Sequence, residues 1–230
     1  MARAQAVHAA QSASALELRG KVAGCHALAQ RDTLRRMKRV LRRLGHLSAD
    51  NVVQMKGRVA AEVNSADELL VTELVFNGVF NDLDAAQCAA LLSALVYSEK
   101  GAGEEEGKEA PLREELAAPL RTLQEAARRI ASVSADCKIP LDAEEYVAGF
   151  NPGMMEMVYA WVKGARFVDI AAMSKEFEGT IIRVIRRLEE LTRQLADAAK
   201  AVGEEALEAK FKDASAKMRR DIVFAASLYI

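Results

Sequence analysis

The sequence predicts an all-α protein in which a long N-terminal stalk helix is followed by a multi-helix bundle with one short β-hairpin. Three observations support this fold class. Apolar side chains recur every three or four residues through most of the chain, which is the period of one helix face. Only 4 of the 230 residues are proline and 13 are glycine, so few residues interrupt a helix. The balance of 51% hydrophobic and 28% charged residues is typical of a packed globular chain.

The first predicted unit, residues 1–45, is the stalk helix. It contains no proline, and Gly45 follows its last turn as a left-handed cap. This segment holds ten Lys and Arg residues against Glu17 and Asp32, a net charge of +8, whereas the rest of the chain has a net charge of −9. A basic arm of this kind either binds a polyanion such as nucleic acid or pairs with acidic neighbours in the fold. The sequence leaves both alternatives open.

The second predicted unit is residues 46–230, the bundle. Within residues 51–63, two runs with β propensity flank Lys56 and Gly57, and this pattern predicts the short hairpin. Residues 65–68 are then predicted to form a capping box that opens a nearly apolar helix. A helix without a polar face has to be surrounded by other elements, so we expect it in the core.

A long amphipathic helix is predicted over residues 174–203, with Ser174 as N-cap and Gly203 as the stop. Beside its apolar stripe lies a second line of residues at i, i+4, i+7 and i+11: Arg183, Arg187, Glu190 and Gln194. Such an edge can follow a sugar–phosphate backbone, with arginine on phosphate and the amide and carboxylate on riboses or bases. The alternative is a solvated face with ion pairs inside the helix.

Motifs for catalysis and for metal binding are absent from the 230 residues. There is no phosphate-binding loop, no dinucleotide fingerprint and no nucleophile elbow, so no catalytic residue is predicted. Cys25, Cys88 and Cys137 lack the spacing of metal ligands, so no metal site is predicted either. No apolar run approaches 18 residues, and we expect no contact with a membrane.

Two further interpretations of the sequence remain. A short helix, a turn and a longer arginine-bearing helix over residues 167–194 resemble a helix-turn-helix, which predicts binding to a DNA major groove. Alternatively, the bundle is purely structural, and its apolar ends complete another protein.

Seven runs of sequence resemble, in order, the C-terminal region of the large DExH-box RNA helicases that feed the exosome. This resemblance, to what is called the DSHCT domain, covers roughly residues 31–230. The runs are KRVLRRLG (38–45), VVQMKGRVAAEV (52–63), SADELLVTELVFNGVFNDL (65–83), LAAPLRTLQEAARRIA (116–131), VYAWVKGARF (158–167), FEGTIIRVIRRLEEL (177–191) and RRDIVFAASLYI (219–230).

The resemblance implies a role for each unit. Residues 1–45 would be the end of an arch stalk, and residues 46–230 would be the helical bundle that closes the helicase ring over two RecA-like domains. In that family the long helix acts as a ratchet that contacts single-stranded RNA as it is pulled 3′ to 5′. Arg187 and Glu190 match the ratchet positions, and Glu99 matches a position that reaches between bases.

The resemblance also implies partners and a location. The expected partners are single-stranded RNA, the RecA-like domains of the same helicase, the RNA exosome and TRAMP-type adaptors, in RNA processing and decay. The expected location is the nucleus, or the cytoplasm for a Ski-type relative. The family's ATP site and DExH motif are not present in the chain. We therefore expect a fragment or a stand-alone bundle that binds no cofactor, with ATP and Mg in separate motor domains.

Overall fold

The computed structural model describes residues 2–97, 112–174 and 176–225 of the chain. These residues are all-α, as the sequence predicts. No helix among them has both the length and the apolar character needed to cross a bilayer. Ten α-helices are present: α1 (Ala2–Arg43), α2 (Met55–Glu62), α3 (Glu68–Phe76), α4 (Ala85–Val96), α5 (Glu114–Asp136), α6 (Ala143–Ala148), α7 (Met155–Val162), α8 (Phe167–Met173), α9 (Glu178–Val202) and α10 (Glu205–Met218). Two 3₁₀ turns, Pro152–Met154 and Asp221–Phe224, precede α7 and follow α10.

Helix α1 is the predicted stalk. Gly45 follows it with φ of 80°, a left-handed conformation that costs glycine little, so the predicted cap is confirmed. The last turn of α1 enters the core through Val40, and Leu44 directly after the helix is also buried, while Leu16 and Val22 remain exposed. The stalk therefore depends on the bundle for packing at its C-terminal end.

The predicted β-hairpin over residues 51–63 is wrong. The structure has one isolated antiparallel bridge, between Leu47 and Val53, and then helix α2. Val59 and Val63, four residues apart, are both buried, because α2 turns that side toward α3 and α9. Burial of a helix face outweighs the β propensity of these valines.

Gly57 lies inside α2 and allows a close approach between two segments. A Cβ atom at this position would lie 2.5 Å from the His46 carbonyl oxygen and 2.9 Å from Val53 Cγ1. Both distances are shorter than a carbon contact allows, so only glycine fits. The residue that was interpreted as a turn glycine instead brings α2 against the chain that leaves the stalk.

Helix α4 is the centre of the bundle. Ten of its twelve residues are buried, since α5, α7, α9 and α10 surround it. The helix begins with a capping box in which Asp84 accepts from the Gln87 amide at 2.8 Å and Gln87 accepts from the Asp84 amide at 2.8 Å. Alanines make up much of α4, and their small side chains allow neighbouring helices to come close.

Helix α9 packs along α10, α4 and α2. It begins at Glu178, later than predicted, because the Ser174 hydroxyl accepts from the Glu176 amide at 3.0 Å in the preceding turn instead of capping the helix. It ends as predicted at Gly203, with φ of 81°. The predicted apolar stripe is buried throughout: Ile181, Ile185, Leu188, Leu191, Leu195 and Ala199.

A buried carboxylate joins the stalk to the bundle. Glu73, in α3, is only 1% exposed and forms an ion pair with Lys56 of α2. The Lys56 ammonium also donates to the Leu44 carbonyl oxygen at the end of the stalk, at 2.9 Å. Arg129 of α5 approaches the second Glu73 oxygen at 3.4 Å. Four elements therefore meet at one charge cluster.

We expect the substitution Glu73→Gln to lower the free energy of unfolding, because it leaves the Lys56 ammonium without its counter-charge in a largely desolvated place. Breaking a buried ion pair costs about 3–5 kcal/mol. Because Lys56 is partly exposed, we expect a loss of about 3 kcal/mol. Urea unfolding followed by circular dichroism measures the loss. The control is Glu62→Gln, at an exposed position of α2, which should change stability by less than about 0.5 kcal/mol. Equal losses in the two variants would contradict the role given to Glu73.

Candidate nucleic-acid interface

Helix α9 has one side that no other described α-helix covers. Helices α2, α4 and α10 pack on its remaining sides, so the open side is a strip along the helix axis. Four arginines lie on it, three of them between residues 183 and 187, and the strip is therefore basic at its N-terminal half. Its side chains are exposed or partly exposed: Arg183, Arg186, Arg187, Glu190, Arg193, Asp197 and Lys200.

Arg187 is exposed but held in place. Its Nε donates to the carbonyl oxygen of Ser65, in the loop between α2 and α3, at 3.0 Å. In the described part of the chain, neither of its two terminal nitrogens has a hydrogen-bond partner. The guanidinium plane is thus oriented by one N–H while the terminal donors remain available. This is the geometry in which arginine binds a phosphate with two parallel hydrogen bonds.

Gln194 does not lie on the open side, contrary to the predicted edge. It is 9% exposed, and its Nε2 donates to Asn64 Oδ1 at 2.7 Å, with Ser65 Oγ at 2.9 Å. Its Oε1 accepts from the Asn64 backbone amide at 3.0 Å. The helical period places Gln194 correctly at the border of the strip, but the loop between α2 and α3 covers it. Its amide attaches that loop to α9.

Glu190 lies on the predicted edge, but its carboxylate already has partners. Arg193 Nη2 donates to both carboxylate oxygens, at 2.7 and 2.6 Å, and Gln194 Nε2 lies 3.1 Å from one of them. The hydrogen bonds from Arg193 and then from Gln194 lower the pKa of Glu190 below its ordinary value of 4.5. The carboxylate is therefore ionised at neutral pH and neutralises Arg193 locally.

The two other arginines on the strip differ in what they contact. Arg183 is exposed, and its Nη2 donates to the Thr180 hydroxyl at 2.9 Å. Arg186 donates from Nε to the Val223 carbonyl oxygen and from Nη2 to that of Ala225 at 3.2 Å, so it fastens the segment after α10. The predicted edge omitted Arg186 and Arg193. The signal for Arg193 was its i+3 spacing from Glu190, whereas nothing local indicated the role of Arg186.

Glu99, the remaining predicted site residue, lies outside the described residues. The last described residue before it is Tyr97, whose hydroxyl donates to Glu176 at 2.8 Å, directly before α9.

The helix-turn-helix interpretation does not fit this geometry. A recognition helix reads bases with the side chains of its opening turns, which have to be accessible. In α9, Thr180, Ile181 and Ile182 are buried in the bundle. Helix α9 also has 25 residues and is covered on most of its circumference.

The described residues offer little for catalysis or metal binding. No group of three or more His, Cys, Asp or Glu side chains converges within residues 2–97, 112–174 and 176–225. Cys88 and Cys137 are buried and unbridged, and burial raises the pKa of the Cys88 thiol to about 12. A thiol with that pKa is not a nucleophile at neutral pH.

The fold and the site thus define a class of protein: an all-α bundle in which one long helix has an open, arginine-bearing face. The model of the DSHCT (NUC185) domain matches residues 50–225. The chain belongs to this family, and the predicted resemblance is confirmed.

The most similar relatives include named RNA helicases. The chain is 52% identical over 214 residues to the ATP-dependent RNA helicase mtr4 of Schizosaccharomyces pombe, which covers 93% of this chain and 19% of the relative. It is 54% identical over 202 residues to the exosome RNA helicase MTR4 of Homo sapiens, covering 87% of this chain and 19% of the relative. The DExH-box ATP-dependent RNA helicase DExH9 of Arabidopsis thaliana is 48% identical over 213 residues, 93% of this chain and 21% of the relative. The chain therefore spans about a fifth of the length of these relatives.

We expect Arg193→Gln to raise the pKa of Glu190 toward 4.5, because the substitution removes the hydrogen bonds from Arg193 that lower this pKa most. A carboxylate with a lowered folded pKa stabilises the fold above its unfolded pKa and loses that contribution as pH falls through the folded value. As the pH is lowered below 4.5, the free energy of unfolding should therefore fall less in the variant than in the wild type. NMR titration of the Glu190 carboxyl carbon measures the pKa, and urea unfolding at several pH values measures the stability.

The matched control is Lys200→Gln, which removes a cation from the same open side without touching Glu190. Its Glu190 titration should equal that of the wild type. An unchanged titration in Arg193→Gln would show that the ion pair does not form in solution.

Proposed function

We propose that this chain is the RNA-contacting C-terminal module of an ATP-dependent 3′–5′ RNA helicase that feeds RNA to the exosome for processing and decay. The single observation that carries the proposal is the Arg187 guanidinium, fixed at Nε by the Ser65 carbonyl and open at its terminal nitrogens. Membership of the DSHCT family and the names of the relatives support the choice of RNA as the ligand.

In this proposal α9 is a rigid track for one RNA strand. Arg187 binds a backbone phosphate with its terminal nitrogens, and Arg183 lies one turn away on the same strip. The Glu190–Arg193 pair adds a carboxylate for ribose hydroxyls and a guanidinium whose charge is balanced. Gln194 acts indirectly, because its amide holds the loop that positions Arg187. A helix of 25 residues keeps these groups at fixed spacing while the strand moves.

The energy for that movement comes from elsewhere in our proposal. The sequence carries no phosphate-binding loop, so ATP and Mg would be bound by RecA-like motor domains of a longer protein. Residues 1–45 would form the end of an arch stalk, and residues 46–230 the bundle that faces the motor. We assign the exosome and TRAMP-type adaptors as partners and the nucleus as the location, with a cytoplasmic Ski-type role as the alternative.

We expect Arg187→Ala, made in the longer helicase that contains the motor domains, to weaken binding of a single-stranded RNA by about tenfold. This follows because a hydrogen bond to a charged group contributes about 1.5–3 kcal/mol, and 1.4 kcal/mol corresponds to a factor of ten. Fluorescence anisotropy with an unstructured RNA measures affinity, and a strand-displacement assay on a duplex with a 3′ overhang measures unwinding. Both should decrease.

The control is Lys200→Ala, which removes an exposed cation from the far end of the same helix. It should leave affinity and unwinding nearly unchanged. Equal effects of the two substitutions would indicate a non-specific charge effect. Unchanged binding and unwinding in Arg187→Ala would refute the assignment and favour a purely structural bundle.

A further inference from the structure

The structure divides the seven stalk cations between residues 31 and 43 into two groups. Arg36 and Arg43 point to the bundle: Arg36 Nη1 donates to the Lys138 carbonyl oxygen at 3.0 Å, and Arg43 lies 2.8 Å from Asp136. Both contacts are at the C-terminal end of α5, where the negative end of the helix dipole favours cations. These two arginines therefore make their contacts within the fold. For them, the second of the two expectations for the basic arm is met, and no polyanion is needed.

Five other cations form a separate group, which we call the stalk stripe: Arg31, Arg35, Lys38, Arg39 and Arg42. Their spacing of i, i+4, i+7, i+8 and i+11 places them on one face of α1. That face is opposite to the one through which Val40 and Leu44 enter the core. Within the part of the chain that the structure describes, none of the five makes a hydrogen bond or an ion pair, and the neighbouring Asp32 is already paired with Arg36. Packing and pairing thus leave the stripe unexplained.

The composition of the stalk stripe indicates which partner it fits. Leu34 and Met37, each about half exposed, lie with Leu41 on the flank of α1, and the face itself, between residues 31 and 42, presents cations alone. Protein interfaces are anchored by apolar and aromatic side chains at their centre, and the stripe has none. Phosphate groups need only positive charge and N–H donors. A nucleic-acid backbone is therefore the better partner than an acidic protein.

The absence of aromatic side chains from the stripe further favours a duplex. Proteins that bind single strands stack bases on aromatic rings, whereas a duplex exposes its phosphates and hides its bases. The stripe is straight and extends over about 16 Å, since α-helices rise 1.5 Å per residue. A duplex presents several phosphates over that length without having to change its shape.

We propose that the stalk stripe binds the phosphate backbone of double-stranded RNA, independently of sequence. This site is separate from the strip on α9 and does not depend on the function proposed for that strip. A chain with both sites would hold a duplex at the stalk and a single strand at the bundle.

The test uses the full 230-residue chain and a blunt 20-base-pair RNA duplex. The variant replaces all five stripe cations with Gln, which keeps helix propensity nearly unchanged. Fluorescence anisotropy is measured over a series of salt concentrations. Because log K falls with log salt by about 0.9 per neutralised phosphate, removal of five cations should make the slope shallower by about 4.5, with at least a tenfold loss of affinity at low salt. Circular dichroism checks that α1 is retained.

A charge-matched control replaces five exposed bundle cations that have acidic partners, again with Gln: Arg121, Lys163, Arg166, Lys212 and Lys217. Its duplex affinity and salt slope should remain close to those of the wild type. Arg187→Ala is measured with single-stranded RNA: loss of single-strand affinity in that variant tests the α9 proposal, whereas the duplex salt slope of the stripe variant tests this one, so that failure of the two proposals is distinguishable.

Four results would overturn the proposal. The first is that the wild-type chain does not bind the duplex at low salt, and the second is that the stripe variant and the charge-matched control lose affinity equally. The third is that a single-stranded RNA of equal length binds the stripe as tightly as the duplex. The fourth is that a duplex DNA of the same sequence binds more tightly than the RNA, which would assign the stripe to DNA.

Discussion

The attachment of the α2–α3 loop to helix α9 by the amide of Gln194 is the interaction on which the candidate interface depends. Its two hydrogen bonds to Asn64 satisfy a buried amide that would otherwise cost about 1–3 kcal/mol. With the loop held there, the Ser65 carbonyl meets Arg187 Nε, and the guanidinium is oriented before any ligand arrives. Restricting a long side chain in advance lowers the entropy lost on binding.

Charge is used in three distinct ways in this bundle. At Glu73 a buried carboxylate gathers cations from two helices and ties the stalk end to the core. At Glu190 and Arg193 a solvent-facing pair cancels locally, and exposed pairs of this kind add little to stability. At Arg187 the positive charge remains uncompensated by any described carboxylate. The net charge of the chain is −1. Its unpaired positive charges therefore lie at a few positions on rigid helices.

The sequence predicted those features that depend on neighbouring residues. Two helix ends followed from local chemistry, at the left-handed Gly45 and Gly203, and the buried stripe of α9 followed from its period. The hairpin prediction was wrong because Gly57 suggested a turn. Glycine is needed there instead for the close approach to His46, eleven residues earlier. Gln194 was assigned to the open side because no local pattern shows that a loop 130 residues away covers it. Long-range contacts decide such cases.

The length of the stalk has a mechanical consequence. Helix α1 has 42 residues, which corresponds to about 63 Å at 1.5 Å per residue; Val40 in its last turn is packed in the bundle, whereas Leu16 and Val22 are exposed. The contacts of Gly57 and of the Lys56 ammonium therefore lie at the base of a long helix, where any rotation of α1 relative to the bundle would be centred. A rotation of a few degrees there would displace the far end by several ångströms, so that a side-chain rearrangement at the base is magnified into a large displacement at the tip.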